Sequence, residues 1–277
     1  MKKICLGLLS ISGFVAFLVM GPGTGWAEHS WGDYHWARTA NPIELKVVDS
    51  VSDDWQYEFN MALAEWNLSD ELDMRVGSAN DSNRTRKRCK MQTGQMRVCN
   101  ASYGYNGWLG MATIGINSNG HIDKGTAKMN DSYASYWADP DEKRHVMCQE
   151  IGHVFGLGHT SVDRSSQGTC MDYSSAWNSI SPNSHDYQLL AEKYGHQDSY
   201  NSYDDGSSSD GDTGGNKPCN PKKPGCSGFD LPASIPAGAV RMHRGPHAET
   251  WVKGRPDGGL WIFHVRLAPR GGHGHHD

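Results

Sequence analysis

Residues 149–159 read Gln-Glu-Ile-Gly-His-Val-Phe-Gly-Leu-Gly-His. Gln149 and His153 are four positions apart, so their side chains lie on one face if the segment is helical. Gly156 is expected to end that helix, because glycine adopts the positive φ that a helix C-terminus often needs. The chain then turns back and brings His159 toward the same point. This spacing predicts a metal site with Gln149, His153 and His159 as its ligands.

Glu150 lies beside the first predicted ligand and carries the only carboxylate of this segment. Three protein ligands leave the fourth position of a tetrahedral zinc ion open for water, as catalytic zinc sites require. Zinc lowers the pKa of that water to about 7, and a neighbouring carboxylate can take its proton. The segment therefore predicts hydrolysis by zinc-activated water, with one catalytic Zn²⁺ and Glu150 as the general base.

A second motif, Gly-Thr-Cys-Met-Asp-Tyr, follows at residues 168–173. Together the two motifs resemble the metzincin zinc proteases, whose pattern His-Glu-x-x-His-x-x-Gly-x-x-His precedes a Met-turn. The resemblance implies that Met171 lies beneath the zinc and that Tyr173 approaches the metal. The first histidine of the pattern is Gln149 here, which makes it an atypical ligand, because zinc prefers imidazole, thiolate or carboxylate.

The flanking segments give the motifs a structural context. Asp139 and Pro140 are typical of a helix N-cap and first helical position. Hydrophobic periodicity predicts further elements in the order strand, helix, strands, metal helix, Met-turn and closing helix. The predicted strands are Ile43–Val48, Leu72–Val76, Gln95–Tyr103, 107–116 and 121–130, and the predicted helices are Ser52–Asn67 and Ser184–Tyr194.

This order resembles that of metzincins, and of matrixins in particular, over about residues 40–195. The resemblance implies an α+β fold with a twisted mixed sheet, an active-site helix, a Met-turn and a C-terminal helix, in a peptidase domain at residues 28–197. It also implies that one strand forms the upper rim of the cleft and pairs with an extended substrate. The residues of that rim are Leu109, Gly110, Met111 and Ala112.

The N-terminal residues predict export. Residues 1–27 combine Lys2 and Lys3, an apolar run and a small-residue cleavage site, which is typical of a signal peptide. We therefore expect a secreted or periplasmic protein with no stable membrane insertion after cleavage; an uncleaved membrane anchor is the alternative.

The cysteine count agrees with an oxidising compartment. Without Cys5 of the signal, six of the seven cysteines remain, an even number that suits disulfide bonds. Six cysteines allow 15 pairings, and local pairs fit the spacing best. These pairs are Cys89–Cys99, Cys148–Cys170 and Cys219–Cys226.

The chain after the closing helix is expected to be separate from the peptidase domain. Residues 198–217 are rich in Asp, Ser and Gly and predict a flexible acidic linker. Calcium at its Asp-Gly-Asp element is conceivable but unsupported. Residues 218–277 predict a small β-rich module that contains one disulfide and a His-rich tail. Its strand-like runs are Ala239–His243, Thr250–Lys253 and Leu260–Leu267.

Three other histidines lie near the predicted helices and strands. His145 is eight residues from His153, about 12 Å along a helix, so both cannot bind one metal. His145 is expected to be exposed or to contact a ligand, and His121 and His185 are expected at the surface or at helix caps. The net charge of −5 favours neither nucleic acid nor a basic membrane patch.

Two functions follow from these features. The first is a secreted, monomeric zinc metalloendopeptidase that acts on protein or peptide substrates. The second is an inactive relative that binds peptides or surfaces, because the amide of Gln149 is a weak zinc ligand. The sequence predicts that Gln149→His would strengthen zinc binding.

Overall fold

The computed structural model describes residues 29–161, 163–204 and 234–269. The predicted signal peptide, the predicted pair Cys219–Cys226, most of the predicted linker and the His-rich tail lie outside the described residues. The described part is an α+β structure with one eight-stranded mixed sheet, which confirms the α+β class and the mixed sheet.

The sheet contains every strand that the sequence predicts. Its order is β2-β1-β3-β5-β4-β8-β7-β6. Neighbours from β2 to β5 are parallel, and all later pairs are antiparallel. The strands are β1 (Ile43–Ser50), β2 (Leu72–Ala79), β3 (Gln95–Ala101), β4 (Trp108–Ile116), β5 (Ile122–Asn130), β6 (Val240–Arg244), β7 (Ala248–Gly254) and β8 (Leu260–Leu267).

Four α-helices accompany the sheet: α1 (Gln56–Trp66), α2 (Asn83–Arg88), α3 (Pro140–Val154) and α4 (Ser184–Lys193). The short helix α2 was not predicted, because it buries no residue and so leaves no apolar periodicity. Ser82 caps it by accepting a hydrogen bond from the amide of Thr85. Within the described ranges, none of the helices is long and apolar enough to cross a membrane.

Helix α3 begins and ends where local sequence signals place it. The Asp139 side chain accepts a hydrogen bond from the amide of Asp141, and Pro140 occupies the first turn. After the helix, Gly156 has a φ of 80°. A Cβ there would lie 2.2 Å from the carbonyl oxygen of Tyr34, so only glycine fits this turn.

Helices α1 and α3 pack together in the main core. Phe59 and Trp66 of α1 are fully buried, as are Met147 and Ile151 of α3. The indole of Trp66 donates a hydrogen bond to the carbonyl of Cys148, 3.0 Å away. Burial of each such large apolar side chain contributes about 1.5–3 kcal/mol, so this contact fixes α3 against the fold.

Two of the predicted disulfides lie within the described residues, and both are formed. One joins Cys89 to Cys99 and the other joins Cys148 to Cys170. The second connects α3 to the segment that contains Met171. It therefore holds the predicted Met-turn next to the predicted ligand helix.

The three C-terminal strands differ from the expectation of a separate module. Strand β8 pairs antiparallel with β4 from Leu260 opposite Ile116 to Leu267 opposite Trp108. All nine residues of β4 are buried, and both edges of the strand are paired, one with β5 and the other with β8. The strands predicted as an appendage therefore complete the same sheet.

This pairing also corrects the predicted substrate edge. Gly110, Met111 and Ala112 are paired with residues of β8. Leu109, which precedes them in the same strand, is buried. A strand with both edges hydrogen-bonded has no free backbone groups for an extended substrate. In this structure the predicted rim is an interior strand.

The start of the predicted linker is also packed. The amide of Asp198 donates to the carbonyl of Arg38, and the amide of Ser202 donates to the carbonyl of Ala37. Tyr203 is buried. Residues 198–204 therefore belong to the folded unit, and only the later part of the predicted linker lies outside the described residues.

Removing the C-terminal strands is expected to destabilise the whole fold. A chain that ends at Asp204 loses Ile262, Phe263 and Val265, which are all buried, and exposes the edge of β4. Burial of each of these side chains contributes about 1.5–3 kcal/mol, so we expect aggregation or a strongly reduced melting temperature. A chain that ends at Pro269 keeps β8 and is the control. Equal melting temperatures for the two chains would contradict the integrated sheet.

Candidate metal centre

The structure brings a third histidine to the two that the sequence motif supplies. The ligand atoms of His153, His159 and His264 all lie within 4.8 Å of one another. The Nε2 atoms of His153 and His159 are 3.1 Å apart. Two ligands at about 2 Å from one tetrahedral zinc ion are roughly 3.3 Å apart, so this spacing fits zinc.

The two motif histidines are held by hydrogen bonds at Nδ1, the outer ring nitrogen, which faces away from the other histidines. His153 Nδ1 donates to the carbonyl of Leu157 at 2.8 Å, just after the turn at Gly156. His159 Nδ1 lies 2.7 Å from the hydroxyl of Tyr173. These contacts leave both Nε2 atoms facing the centre, and outer partners of this kind orient metal-binding histidines in proteins.

His264 comes from β8, on the face of the sheet that α3 covers. Along this strand Ile262, His264 and Arg266 point to the helix side, while Phe263 and Val265 join a second apolar cluster. His264 pairs with Ala112 of β4, and its ring centroid is 3.9 Å from that of His153. The register of β8 on β4 therefore fixes its position.

Gln149 does not join the three histidines. Its amide nitrogen donates to the carbonyls of Cys170, at 2.9 Å, and Asp172, at 2.6 Å, and it lies 3.3 Å from His145 Nε2. Its amide oxygen accepts a hydrogen bond from Arg266 at 3.2 Å. The expected role as an atypical ligand is therefore corrected, since the fully buried Gln149 side chain connects α3 to the Met171 segment and to β8.

Met171 and Tyr173 both lie close to the centre. A Cβ at Gly152 would lie 2.7 Å from the sulfur of Met171, so Met171 packs directly against the helix turn that carries His153. The Tyr173 hydroxyl contacts the outer nitrogen of His159. Tyr173 is predicted to approach the metal, and in the structure its hydroxyl contacts one of the three histidines that could hold one.

Glu150 is completely buried beside the histidines. Its Oε2 atom lies 3.5 Å from His264 Nδ1. Burial raises the pKa of this carboxyl to about 7, although His153 and Arg266 oppose the shift. A Cβ at Gly110 would lie 2.5 Å from Glu150 Oε1, so the glycine lets β4 approach the carboxylate closely.

The donor set fits a bound cation. Neither ring nitrogen of His264 and neither carboxylate oxygen of Glu150 has a hydrogen-bond partner within the described ranges, although both side chains are buried. Buried polar atoms without partners are costly. Burial lowers the pKa of His153 and His264 to about 3 and that of His159 well below its usual value. The imidazoles are therefore neutral, which is the form that binds zinc.

The other histidines considered from the sequence lie outside this centre. His145 is buried against the amide of Gln149, so it contacts a helix residue rather than solvent. His185 is exposed at the start of α4, as expected, and its ring packs against His29. His121 lies just before β5, half-buried, and contacts Asp198.

Comparison with known proteins gives no relative. No family model matches the chain, and no curated protein or solved structure matches it significantly. The resemblance to metzincins therefore depends on the motif residues of the sequence.

Sequence reasoning missed His264, although the run at residues 260–267 carries a signal. That run is Leu-Trp-Ile-Phe-His-Val-Arg-Leu, in which a histidine and an arginine interrupt apolar residues at alternate positions. Polar side chains on one face of an otherwise apolar strand need buried partners. Local spacing cannot reveal the partners, because they come from α3.

The ligand assignment predicts different outcomes for His264→Ala and Gln149→Ala. Loss of His264 should weaken zinc affinity by at least about 10–100-fold, because the loss of a residue that only hydrogen-bonds to a ligand already has an effect of that size. Gln149→Ala should keep zinc binding in the folded protein and lower stability by about 1–3 kcal/mol, since buried partners lose hydrogen bonds. Zinc titration and chemical unfolding of both variants measure the two effects. If Gln149→Ala lost more zinc affinity than His264→Ala, Gln149 rather than His264 would be the ligand.

Proposed function

We propose that this protein is a zinc-dependent metalloendopeptidase whose zinc is held by His153, His159 and His264. The observation that carries the proposal is the convergence of these three histidines beside the buried carboxylate of Glu150. Three histidines leave a fourth position for water or substrate, as in catalytic rather than structural zinc sites. When bound, the zinc ion would activate a water molecule and polarise the peptide carbonyl.

The protein residues would then perform the proton transfers and the positioning. Glu150 accepts the proton of the attacking water on a carboxylate oxygen and delivers it to the leaving amine. Burial raises the pKa of this carboxyl above its ordinary value, which favours a group that can both accept and release a proton. Tyr173 and Leu157 hold the rings of His159 and His153 at their outer nitrogens.

The arrangement of the motif residues supports the resemblance to metzincins. Glu150 and His153 lie on α3, the turn at Gly156 returns the chain to His159, and Met171 packs against the same helix. The departure at Gln149 is compensated by His264 from β8. The protein would therefore be a metzincin-like peptidase whose first ligand has moved from the helix to a strand.

A substrate must reach the centre without pairing along β4. A cavity of about 730 Å³ opens beside Tyr173 and Arg266 and is also lined by Glu142, Arg164 and His247. Its size is that of a typical ligand site, and its mixed charges suit a polar peptide backbone. We propose that a protein or peptide substrate enters here and approaches His159, the one half-buried member of the three histidines.

A second function is favoured by the contact between Glu150 and His264. Carboxylates commonly orient a metal-binding histidine through its second nitrogen, and Glu150 Oε2 is 3.5 Å from His264 Nδ1. Strand β8 also covers the rim that the family uses for substrate. In this alternative the zinc has a structural role, and the protein is an inactive peptide- or surface-binding relative.

Secretion is part of the proposal. The described disulfides Cys89–Cys99 and Cys148–Cys170 suit an oxidising compartment. The predicted signal sequence in residues 1–27 supports export and a secreted protein.

Glu150→Gln separates the two functions. If Glu150 is the general base, the variant should keep its zinc and lose hydrolysis of an unfolded protein substrate by roughly 10²–10⁴-fold in kcat/KM. If Glu150 only orients His264, zinc affinity should fall and the wild-type protein should cleave nothing. Glu192→Gln, on the exposed side of α4, is the matched control. A zinc-loaded Glu150→Gln variant with wild-type kcat/KM would refute the proposed mechanism.

A further inference from the structure

The short helix α2 and the residues just after it carry the densest group of positive charges in the chain. Five of the seven residues from Arg84 to Lys90 are arginine or lysine, although the net charge of the whole chain is −5. No aspartate or glutamate occurs between Asp81 and Asp123. Positive charge is therefore concentrated at this corner of the fold, against the acidic balance of the chain.

The helix presents these charges on one side. Arg84, Lys87 and Arg88 are spaced at i, i+3 and i+4, so their side chains lie on one face of α2. All three residues are exposed, and so is Lys90, which follows the end of the helix. The face defined by Arg84, Lys87 and Arg88, together with Lys90, is called the basic surface below.

The opposite side of α2 is fixed by polar and covalent contacts. The helix buries none of its own residues, so apolar packing does not hold it. Cys89, directly after the helix, is fully buried and is bonded to Cys99 of β3. Arg86 donates to the carbonyl of Asn100 at 3.1 Å, and the hydroxyl of Tyr103 donates to the carbonyl of Arg86 at 2.8 Å. These contacts hold in place a helix that would be marginal on its own.

The charges of the basic surface oppose the stability of the helix that carries them. Like charges three and four residues apart repel each other. The helix dipole favours cations in the last turn, which accounts for Lys87 and Arg88, but it disfavours Arg84 near the N-terminus. Among the described residues, no carboxylate lies within 4.0 Å of the Arg84 guanidinium or the Lys87 ammonium. An external anion would remove this repulsion.

We propose that the basic surface binds a linear anionic polysaccharide. Basic segments of this length bind nucleic acids or heparin-like polysaccharides. The disulfides Cys89–Cys99 and Cys148–Cys170 favour the polysaccharide, because they suit an oxidising compartment outside the cytoplasm. No large hydrophobic side chain is exposed on α2, so the surface lacks the apolar anchor of a membrane-bound helix. The proposal rests on the proposed export, but it does not depend on zinc binding or peptidase activity.

The basic surface is separate from the centre on α3. Helix α2 contacts β3, and β5 and β4 lie between β3 and β8 in the sheet. A polymer bound to α2 therefore need not contact His264 or the cavity beside Tyr173. Binding would hold the protein at a polysaccharide-bearing surface while the centre stays accessible.

Binding of the full chain to immobilised heparin, a sulfated polysaccharide, tests the proposal. If about four cations contact the polymer, the affinity should fall about 50–100-fold between 50 and 200 mM NaCl, as counterion release predicts for nucleic acids. The double variant Arg84→Gln/Lys87→Gln removes two of these charges. It should bind roughly 10-fold more weakly at low salt and show about half the salt dependence of log Kd.

The double variant Arg75→Gln/Arg241→Gln is the matched control. It removes the same net charge from two exposed arginines that already have carboxylate partners, so it should bind heparin like the wild type. The melting temperature of Arg84→Gln/Lys87→Gln should equal or exceed that of the wild type, because the variant relieves repulsion on α2. Equal heparin affinity of Arg84→Gln/Lys87→Gln and the wild type, or an equal loss in the control, would overturn the proposal.

A comparison of three polyanions tests the class of ligand. The probes are heparin, single-stranded DNA and vesicles that contain phosphatidylserine, all at the same ionic strength. We expect heparin to bind most tightly and to lose the most affinity in Arg84→Gln/Lys87→Gln. Tighter binding of the DNA or of the vesicles than of heparin would contradict the assignment to a polysaccharide.

Discussion

The antiparallel pairing of β8 with β4 determines the composition of the centre on α3. The pairing places His264 opposite Ala112 and directs its ring toward His153, while Arg266, two residues later, reaches the amide of Gln149. Phe263 and Val265, which alternate with them along the strand, are buried on the other face. The sheet therefore supplies one candidate metal ligand and one structural hydrogen bond from a single strand face, and burial of the opposite face holds both in place.

Helix α3 supplies a hydrogen-bonding glutamine at position 149, and strand β8 supplies the third imidazole of the cluster, His264. A glutamine at position 149 offers two donors and one acceptor, and the structure uses them for two carbonyls near Met171 and for Arg266. A histidine at this position could not satisfy all three contacts. The third imidazole of the cluster comes from β8. Arg266, which contacts Gln149, lies on the same strand, so the positions of Gln149 and His264 are physically linked.

Local signals in the sequence predicted most elements of the fold but only part of the centre. Asp139 and Gly156 fixed the ends of α3, and the spacing of His153 and His159 was sufficient to place both near one point. His264 could not be found in this way, because its position depends on the register of β8. A shift of one residue would turn it to the opposite face and bring Phe263 or Val265 to the helix side. The role of Gln149 likewise depends on Arg266, a contact across 117 positions of the chain.

The N-terminal segment supports the turn that returns the chain to His159. Trp31 stacks on His153 with 5.0 Å between ring centroids, and its amide donates to the carbonyl of Gly156. Four residues later His35 contacts Asp198, which lies in the segment after α4. The contact at Asp198 therefore anchors a stretch of chain that covers the turn at Gly156, and it can stabilise the geometry of His153 and His159 without contacting them.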